Sequence, residues 1–466
     1  MRPKICNLRP LRIACASLLI ASVSTFADTA TQNAEKFNSE SADRGYRVLT
    51  EKAVLSSDFT QEVFDNLWQC WPESLRLQAE AANADQRREM AFTRYGLTPR
   101  PDAPEKPLQY VVDDSGNWTM NCFSCHGGSV YGKPVAGAPN NRFALQTLTE
   151  EIRKTKFKLG KPLSRMDVGS LVIPLGTTNG TTNAVVFGMG LMSQRDEDLN
   201  IVAAAPQKFV HHDMDAPAWW NFHKKPNIYI DGFAQKGHRG LMQFMMIPEN
   251  GREFFLNHED DFRDVYAYIS SLRPPKYPGK VDTIMAEQGR VVFEQTCADC
   301  HGTYGSTPTY PNRRIPINDI GTDPVRLTAL EVEGRKKYAR SWFAHANEND
   351  EQTTVVDPDG YVAPALDGIW ASAPYFHNGS VPTLWHLLNP SERPQVWRPV
   401  NEEFDEEKVG LTTESVPKVP FTERDPVIRR SYFDTRRFGK SNSGHDYPAE
   451  LTDTQRQAVL EYLKTL

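Results

Sequence analysis

Asn121-Cys-Phe-Ser-Cys-His-Gly127 and Thr296-Cys-Ala-Asp-Cys-His-Gly302 are the two stretches that decide the organisation of this chain. Each contains the pattern Cys-x-x-Cys-His, and the two histidines are 175 residues apart. Two thiols spaced in this way reach the two vinyl groups on one edge of a porphyrin, and the adjacent imidazole ligates the iron from below the ring. The stretches therefore predict two covalently attached haem c groups, held at the following positions: Cys122, Cys125, Cys297, Cys300, His126 and His301.

Two other chemistries use paired cysteines. A zinc half-site needs a second pair of thiol or imidazole ligands nearby in the sequence. A redox-active dithiol does not need a histidine directly after its second cysteine. Because the full pattern occurs twice, and glycine follows it both times, we prefer the haem interpretation.

Residues 1–27 resemble a secretory signal peptide. Four basic residues precede a mostly apolar stretch over 13–26, and Thr25-Phe-Ala27 offers a cleavage site. A retained anchor is the alternative, but the apolar stretch is shorter than the ~20 residues that a membrane span needs. We expect a periplasmic or secreted protein whose mature chain has no membrane span.

The charge of the chain bears on its partners. The formal net charge is -6, and removal of the basic signal would leave the mature chain more acidic. An acidic protein does not attract nucleic acid or an anionic membrane surface. A redox partner protein or a small-molecule electron donor is the expected partner.

An internal repeat organises the sequence. The octet Val265–Leu272 resembles Val459–Leu466, which lies 194 residues further on, and both have apolar residues at helical spacing. Each unit thus begins with a haem motif and ends with a similar helix. We predict a mainly α fold with extensive loops and two cytochrome c-like haem domains in tandem. The first domain with its N-terminal region spans 28–272, the linker 273–284, and the second domain 285–466.

The sixth ligand of each haem iron distinguishes an electron-carrying haem from a catalytic one. A carrier haem normally has two protein ligands, whereas a catalytic haem keeps one face open. After the second motif no methionine follows Met285, so a histidine is the expected ligand. We prefer His445, with His377 as the alternative. For the first haem the sequence leaves the sixth ligand open.

The segment Ala216-Pro-Ala-Trp-Trp-Asn-Phe-His223 combines aromatic and polar residues. Trp219 and Trp220 either wall the open face of the first haem or lie between the two haems, and ordinary core packing is the alternative.

The motifs now resemble a known group, the bacterial di-haem cytochrome c peroxidase superfamily, which includes the rubber oxygenases. The block Ala365–Leu384 resembles the signature of that group, and the segments around Trp219 and His445 are closer to the rubber-oxygenase branch. The resemblance implies that His126 holds an N-terminal haem that meets dioxygen or hydrogen peroxide. It implies that His301 and His445 are the axial pair of an electron-storing haem.

By the same resemblance, three aromatic residues lie near the active haem: Trp219, Trp220 and Phe233. The analogy also allows a Ca²⁺ ion between the haem domains of this chain, and no ligands are assigned to it. This chain looks shorter than rubber oxygenases, so a polymer substrate is not implied. It also lacks the methionine that the peroxidase branch uses on its electron-transfer haem.

Three functions fit these observations. The first is an exported di-haem oxidoreductase of the peroxidase or oxygenase type. The second is an electron-transfer cytochrome without its own turnover, and the third is a haem-bearing sensor. The long inserts 127–250 and 302–440 far exceed ordinary connections, which favours the first over the second.

Overall fold

The computed structural model describes residues 39–203, 210–345 and 353–466. Of these described residues, 44% are helical, and the rest are loops and small sheets. The predicted helices and long loops are therefore confirmed in part, because the fold is a mixture of helices and small sheets. The predicted signal peptide lies outside the described residues. Within them, no helix is long and apolar enough to cross a membrane.

Most helices are short. In chain order the α-helices are α1 (39–51), α2 (Gln61–Asp65), α3 (Glu73–Ala81), α4 (Ala84–Tyr95), α5 (Phe123–His126), α6 (Leu145–Leu159), α7 (Arg165–Val172), α8 (Ala184–Ser193), α9 (His238–Met242), α10 (Arg252–Asn257), α11 (Glu259–Ser271), α12 (Thr283–Thr296), α13 (Ala298–His301), α14 (Ile317–Ile320), α15 (Val325–Ala329), α16 (Val332–Arg340), α17 (Leu384–Leu388), α18 (Pro426–Ser431) and α19 (Asp453–Leu463).

The strands form small antiparallel sheets of two or three strands. They are β1 (Phe59–Thr60), β2 (Pro99–Arg100), β3 (Ala103–Pro107), β4 (Tyr110–Val112), β5 (Asn117–Met120), β6 (Ser129–Val130), β7 (Lys133–Pro134), β8 (Thr181–Thr182), β9 (Met214–Asp215), β10 (Asn227–Ile228), β11 (Ala234–Gln235), β12 (Arg314–Pro316), β13 (Gly360–Val362), β14 (Val396–Asp405), β15 (Gly410–Ser415) and β16 (Phe433–Asp434).

The C-terminal half of the chain begins with α12. This helix crosses the final helix, α19, at a glycine. A Cβ atom added to Gly289 would lie 1.8 Å from the carbonyl oxygen of Ala458 and 3.0 Å from Cβ of Tyr462. Only glycine allows two helix backbones to approach this closely. The start of α19 is fixed by Thr452, whose side chain and that of Gln455 form a capping box.

The N-terminal half contains an equivalent crossing, made by α1 and α11. A Cβ atom added to Gly45 would lie 2.1 Å from the carbonyl oxygen of Asp264 and 2.9 Å from Cβ of Tyr268. In the 194-residue repeat, Asp264 and Tyr268 occupy the positions of Ala458 and Tyr462. The two pairs of helices are therefore equivalent, and each pair crosses in the same way.

The two halves differ in what separates the first helix from the haem motif. In the C-terminal half, α12 ends at Thr296, directly before Cys297. In the N-terminal half, residues 52–121 intervene and carry α2–α4 and β1–β5. This insert shares an apolar core with α6, and that core includes Phe64 and Trp118 of the insert and Leu148 of α6.

Candidate haem sites

The first motif is anchored to α1 through Asn121. The side-chain Nδ2 of Asn121 donates to the carbonyl of Leu49 at 2.9 Å, and its Oδ1 accepts from the backbone of Phe123 at 2.9 Å. Helix α5 and its N-cap residue Cys122 then place both cysteines and His126 on one turn. In the second motif, α13 does the same for Cys300 and His301.

Both motif histidines donate a hydrogen bond to the carbonyl of a proline. Nδ1 of His126 lies 3.0 Å from the oxygen of Pro217, and Nδ1 of His301 lies 2.8 Å from that of Pro364. A carbonyl can only accept, so the proton is on Nδ1 and the lone pair is on Nε2. In many proteins a hydrogen bond of this kind, made by the ring nitrogen that does not bind the metal, orients an imidazole for metal ligation.

Both imidazoles are held in the neutral form that a metal requires. Burial lowers the pKa of His126 to about 4, although its bond to Pro217 acts in the opposite direction. Burial also lowers the pKa of His301. At neutral pH neither ring has to lose a proton before it can act as a ligand.

His445 is the imidazole that faces His301. The two ring centres lie 6.1 Å apart, with 64° between the ring planes. Two imidazoles on opposite sides of one metal ion have ring centres about 6 Å apart, since each metal–nitrogen bond is about 2 Å long. The spacing of His301 and His445 fits that arrangement.

The backbone around His445 is tightly constrained. His445 has a left-handed φ of 50°, and its amide donates to the carbonyl of Ile320 at 2.6 Å. The preceding Gly444 passes so close to Gly321 that a Cβ atom would lie 2.2 Å from its carbonyl carbon. Burial lowers the pKa of His445 to about 3, so this ring is also neutral at physiological pH.

His377, the alternative ligand, lies in a different environment. Its ring packs on Tyr361 with the ring centres 4.7 Å apart. Burial and then the nearby Arg326 lower the pKa of His377 to about 3. Its carbonyl accepts a hydrogen bond from the amide of Asp215, which is in the N-terminal half.

The two tryptophans point to different places. Trp219 stacks on the ring of His126, with the centres 4.6 Å apart and 22° between the planes. Trp220 is fully buried, and its Nε1 donates to the carbonyl of Asp367 at 2.8 Å. Trp219 therefore packs on the imidazole itself, whereas Trp220 packs against the C-terminal half.

Phe233 lies in an apolar core that combines residues from both halves of the chain. Its ring contacts Tyr338 at 4.8 Å and Tyr229 at 6.0 Å. Two residues earlier, Asp231 forms ion pairs with Arg326 and Arg335, and all three side chains are buried. Burial alone would raise the pKa of Asp231, but the two guanidinium groups hold it below its usual value.

A pair of equivalent loops links the two sites. Val362, two residues before Pro364, donates its amide to the carbonyl of Ile230 at 2.7 Å. Asp215, two residues before Pro217, donates in the same way to His377 at 2.9 Å. Each proline segment is thus hydrogen-bonded to a loop of the opposite half.

The loops themselves, 226–233 and 373–380, have matching geometry. Tyr229 and Phe376 have φ values of 69° and 67°, and the glycines three residues later, Gly232 and Gly379, have 64° and 71°. In both loops the glycine amide donates to the carbonyl three residues before it, at 3.2 and 3.1 Å. Residues 215–233 and 362–380 are therefore structural equivalents, separated by 147 positions throughout.

Sequence reasoning missed this second repeat, although it has a visible signal. Ala216-Pro-Ala218 and Ala363-Pro-Ala365 share three letters, and Asp231-Gly and Asn378-Gly follow at the same distance. The shared letters are too few to identify without the bonds from His126 and His301. The roles of Pro217 and Pro364 depend on their carbonyls, which every residue has.

The residues fit covalently bound haem c by their chemistry. Each site offers two thiols, and one imidazole with a free Nε2 and a fixed Nδ1 proton. When bound, haem would supply an iron centre for electron transfer or for reaction with a small oxidant. In the described residues, no group of three or more His, Cys, Asp or Glu side chains could hold a separate metal ion.

The comparisons with known proteins agree with a protein that binds haem c. Residues 360–398 match the family model described as RoxA-like, cytochrome c-like. A domain of this kind implies covalently bound haem c and supports a RoxA-like haem family for this region. The assignment to the wider di-haem peroxidase superfamily stays a prediction.

Two curated relatives from Sinorhizobium fredii are similar to the chain. The uncharacterized protein y4iM is 31% identical over 201 residues, which is 38% of this chain and 45% of the relative. The uncharacterized protein y4iJ is 30% identical over 262 residues, which is 42% of each. The chain thus spans less than half the length of either relative.

Proposed function

We propose that the chain is an exported di-haem c-type cytochrome oxidoreductase. In this proposal dioxygen or hydrogen peroxide reacts at the haem attached to Cys122 and Cys125. The haem attached to Cys297 and Cys300 stores and transfers electrons, which a redox partner protein or a small-molecule donor supplies.

The observation that carries the proposal is an asymmetry between two equivalent sites. Both motif histidines bond to a proline carbonyl, which supports two haems rather than one. Opposite His301 lies His445, eight residues before α19 begins. The residue eight positions before α11 is Gly251, which has no side chain to offer. An iron with one protein ligand can accept a small molecule, whereas one with two cannot do so without losing a ligand.

Binding of carbon monoxide to the reduced protein tests the proposal. We expect one molecule to bind per chain, and the oxidised protein to show one low-spin haem by electron paramagnetic resonance. His445→Ala should change that low-spin signal and raise the binding to two molecules per chain. His377→Ala is the matched variant, because it removes the alternative ligand, and it should leave both results unchanged.

Two low-spin haems that ignore both carbon monoxide and peroxide would contradict the proposal. That outcome would favour the electron-transfer cytochrome without turnover. A low-spin signal that responds to His377→Ala and not to His445→Ala would instead reassign the second axial ligand.

A further inference from the structure

The loop of the C-terminal half places an aromatic ring beside the imidazole of His445. The ring of Phe376 lies 6.2 Å from that of His445, at an angle of 68°. Phe376 owes this position to its left-handed φ and to the bond between Gly379 and its own carbonyl. The ring of Phe376 has no polar atom, so it makes packing contacts and no hydrogen bonds.

At the equivalent position of the N-terminal half, the loop carries Tyr229. The matching φ values and hydrogen bonds make Tyr229 the equivalent of Phe376 in the other loop. Tyr229 packs on the apolar core that also contacts Cys122 and contains Trp219. In the N-terminal half the position of His445 is occupied by Gly251, which supplies no imidazole.

The surroundings hold Tyr229 in a defined position. The guanidinium of Arg326 lies 5.5 Å from the centre of its ring. The buried ion pairs of Asp231 with Arg326 and Arg335 fix the loop two residues later. A left-handed φ at a bulky residue costs free energy, and such conformations are concentrated at functional sites.

We propose that the hydroxyl of Tyr229 is the hydrogen-bond donor for the small oxidant that enters the open face of the first haem. The inference rests on the proposed function, and it adds the residue that would bind and orient the oxidant. Burial raises the pKa of Tyr229, so the hydroxyl keeps its proton at neutral pH and is able to donate it in a hydrogen bond. The phenylalanine in the other loop cannot do this.

Tyr229→Phe and Phe376→Tyr form a matched pair of tests, because each gives one loop the residue of the other. The probe is carbon monoxide on the reduced, haem-loaded protein, and the readout is its infrared stretching band. We expect the band of Tyr229→Phe to move to higher wavenumber, and its affinity for cyanide in the oxidised state to fall about threefold to tenfold. Phe376→Tyr should leave the band unchanged.

The outcomes separate this inference from the function on which it rests. If the unmodified protein binds no carbon monoxide, the proposed open face is wrong. If it binds one molecule per chain and Tyr229→Phe leaves the band in place, only the role of Tyr229 is overturned. Should that variant fail to load haem, the unmodified protein in heavy water replaces it, and a band that does not respond to deuterium would contradict the hydroxyl contact.

Discussion

The N-terminal and C-terminal halves repeat one plan and differ in what surrounds it. Both cross two helices at a glycine, bond a motif histidine to a proline carbonyl, and turn a loop through a left-handed aromatic residue. The differences are a long insert after α1, a tyrosine in place of Phe376 and a glycine in place of His445. The comparison teaches that the shared parts fix one imidazole at each site, and under the proposed function a few unshared residues set the chemistry on the opposite side.

The largest expected effect comes from removing the thiols of one site. Replacing Cys297 and Cys300 with alanine should halve the haem content from two groups per chain to one, since the thioether bonds cannot form. Pyridine haemochrome absorbance per polypeptide measures it. The double replacement of Cys122 and Cys125 is the matched variant, and it should also leave one haem. An unchanged ratio in either variant would refute the two-haem proposal.

The helix crossings give the next largest effect. Gly289→Ala and Gly45→Ala each place a methyl group against a backbone carbonyl, so the helices must separate. We expect each change to lower the free energy of unfolding by about 3 kcal/mol. Denaturant titration of the haem-loaded protein measures it. Gly188→Ala in α8, where a Cβ atom would meet nothing within 4 Å, is the control and should not destabilise.

Trp219→Leu tests the packing on the first imidazole. Leu366 occupies the equivalent position in the other half, so the change makes the halves more alike. Loss of the stacked ring should cost about 2 kcal/mol of stability, and it should shift the reduction potential of the first haem. Redox titration monitored at both haems checks this. A shift confined to the second haem would contradict the contact with His126.

Acid should weaken the C-terminal half through His386 in α17. Its Nδ1 lies 2.8 Å from the hydroxyl of Thr383, and burial lowers its pKa to about 4. Between that value and about 6.5 the unfolded chain binds more protons than the folded one, so stability falls as the pH falls through this window. Between pH 6.5 and 4 the free energy of unfolding should fall in both proteins. We expect the fall to be about 2 kcal/mol smaller for His386→Gln than for the unmodified protein.

Unfolding free energies at both pH values, measured side by side, provide the readout for His386. The variant is compared with the unmodified protein because other buried histidines, including His238 in α9, also have a lowered pKa. Only the difference between the two proteins reports on His386. Equal slopes with pH would show that its burial has no such effect.

The sequence predicted the parts of the fold that have local signals. The haem motifs, α11 and α19 follow from cysteine–histidine spacing and from apolar periodicity. It did not predict α1, because residues 52–121 separate that helix from its motif and Gly45 has meaning only beside Asp264. The small sheets were also missed, because most of their strands have only two to five residues.

Prediction of the candidate sites from the sequence was limited by contacts between residues that are distant in the chain. Spacing predicted His126 and His301, and the absence of methionine after Met285 directed attention to His445. The carbonyls of Pro217 and Pro364 act through the backbone, which leaves no trace in the side-chain pattern. The equivalence of Tyr229 and Phe376 became visible through φ values that residues other than glycine rarely adopt.

The exchanged bonds between the loops and the proline segments have a consequence for assembly. Val362 bonds to Ile230, and Asp215 to His377, so each half contributes the same two kinds of group to one interface. An interface of this form is isologous, the kind that joins two identical subunits in a dimer. Here a single covalent chain supplies both subunits, so the contact that holds them together can stay the same while each subunit evolves separately.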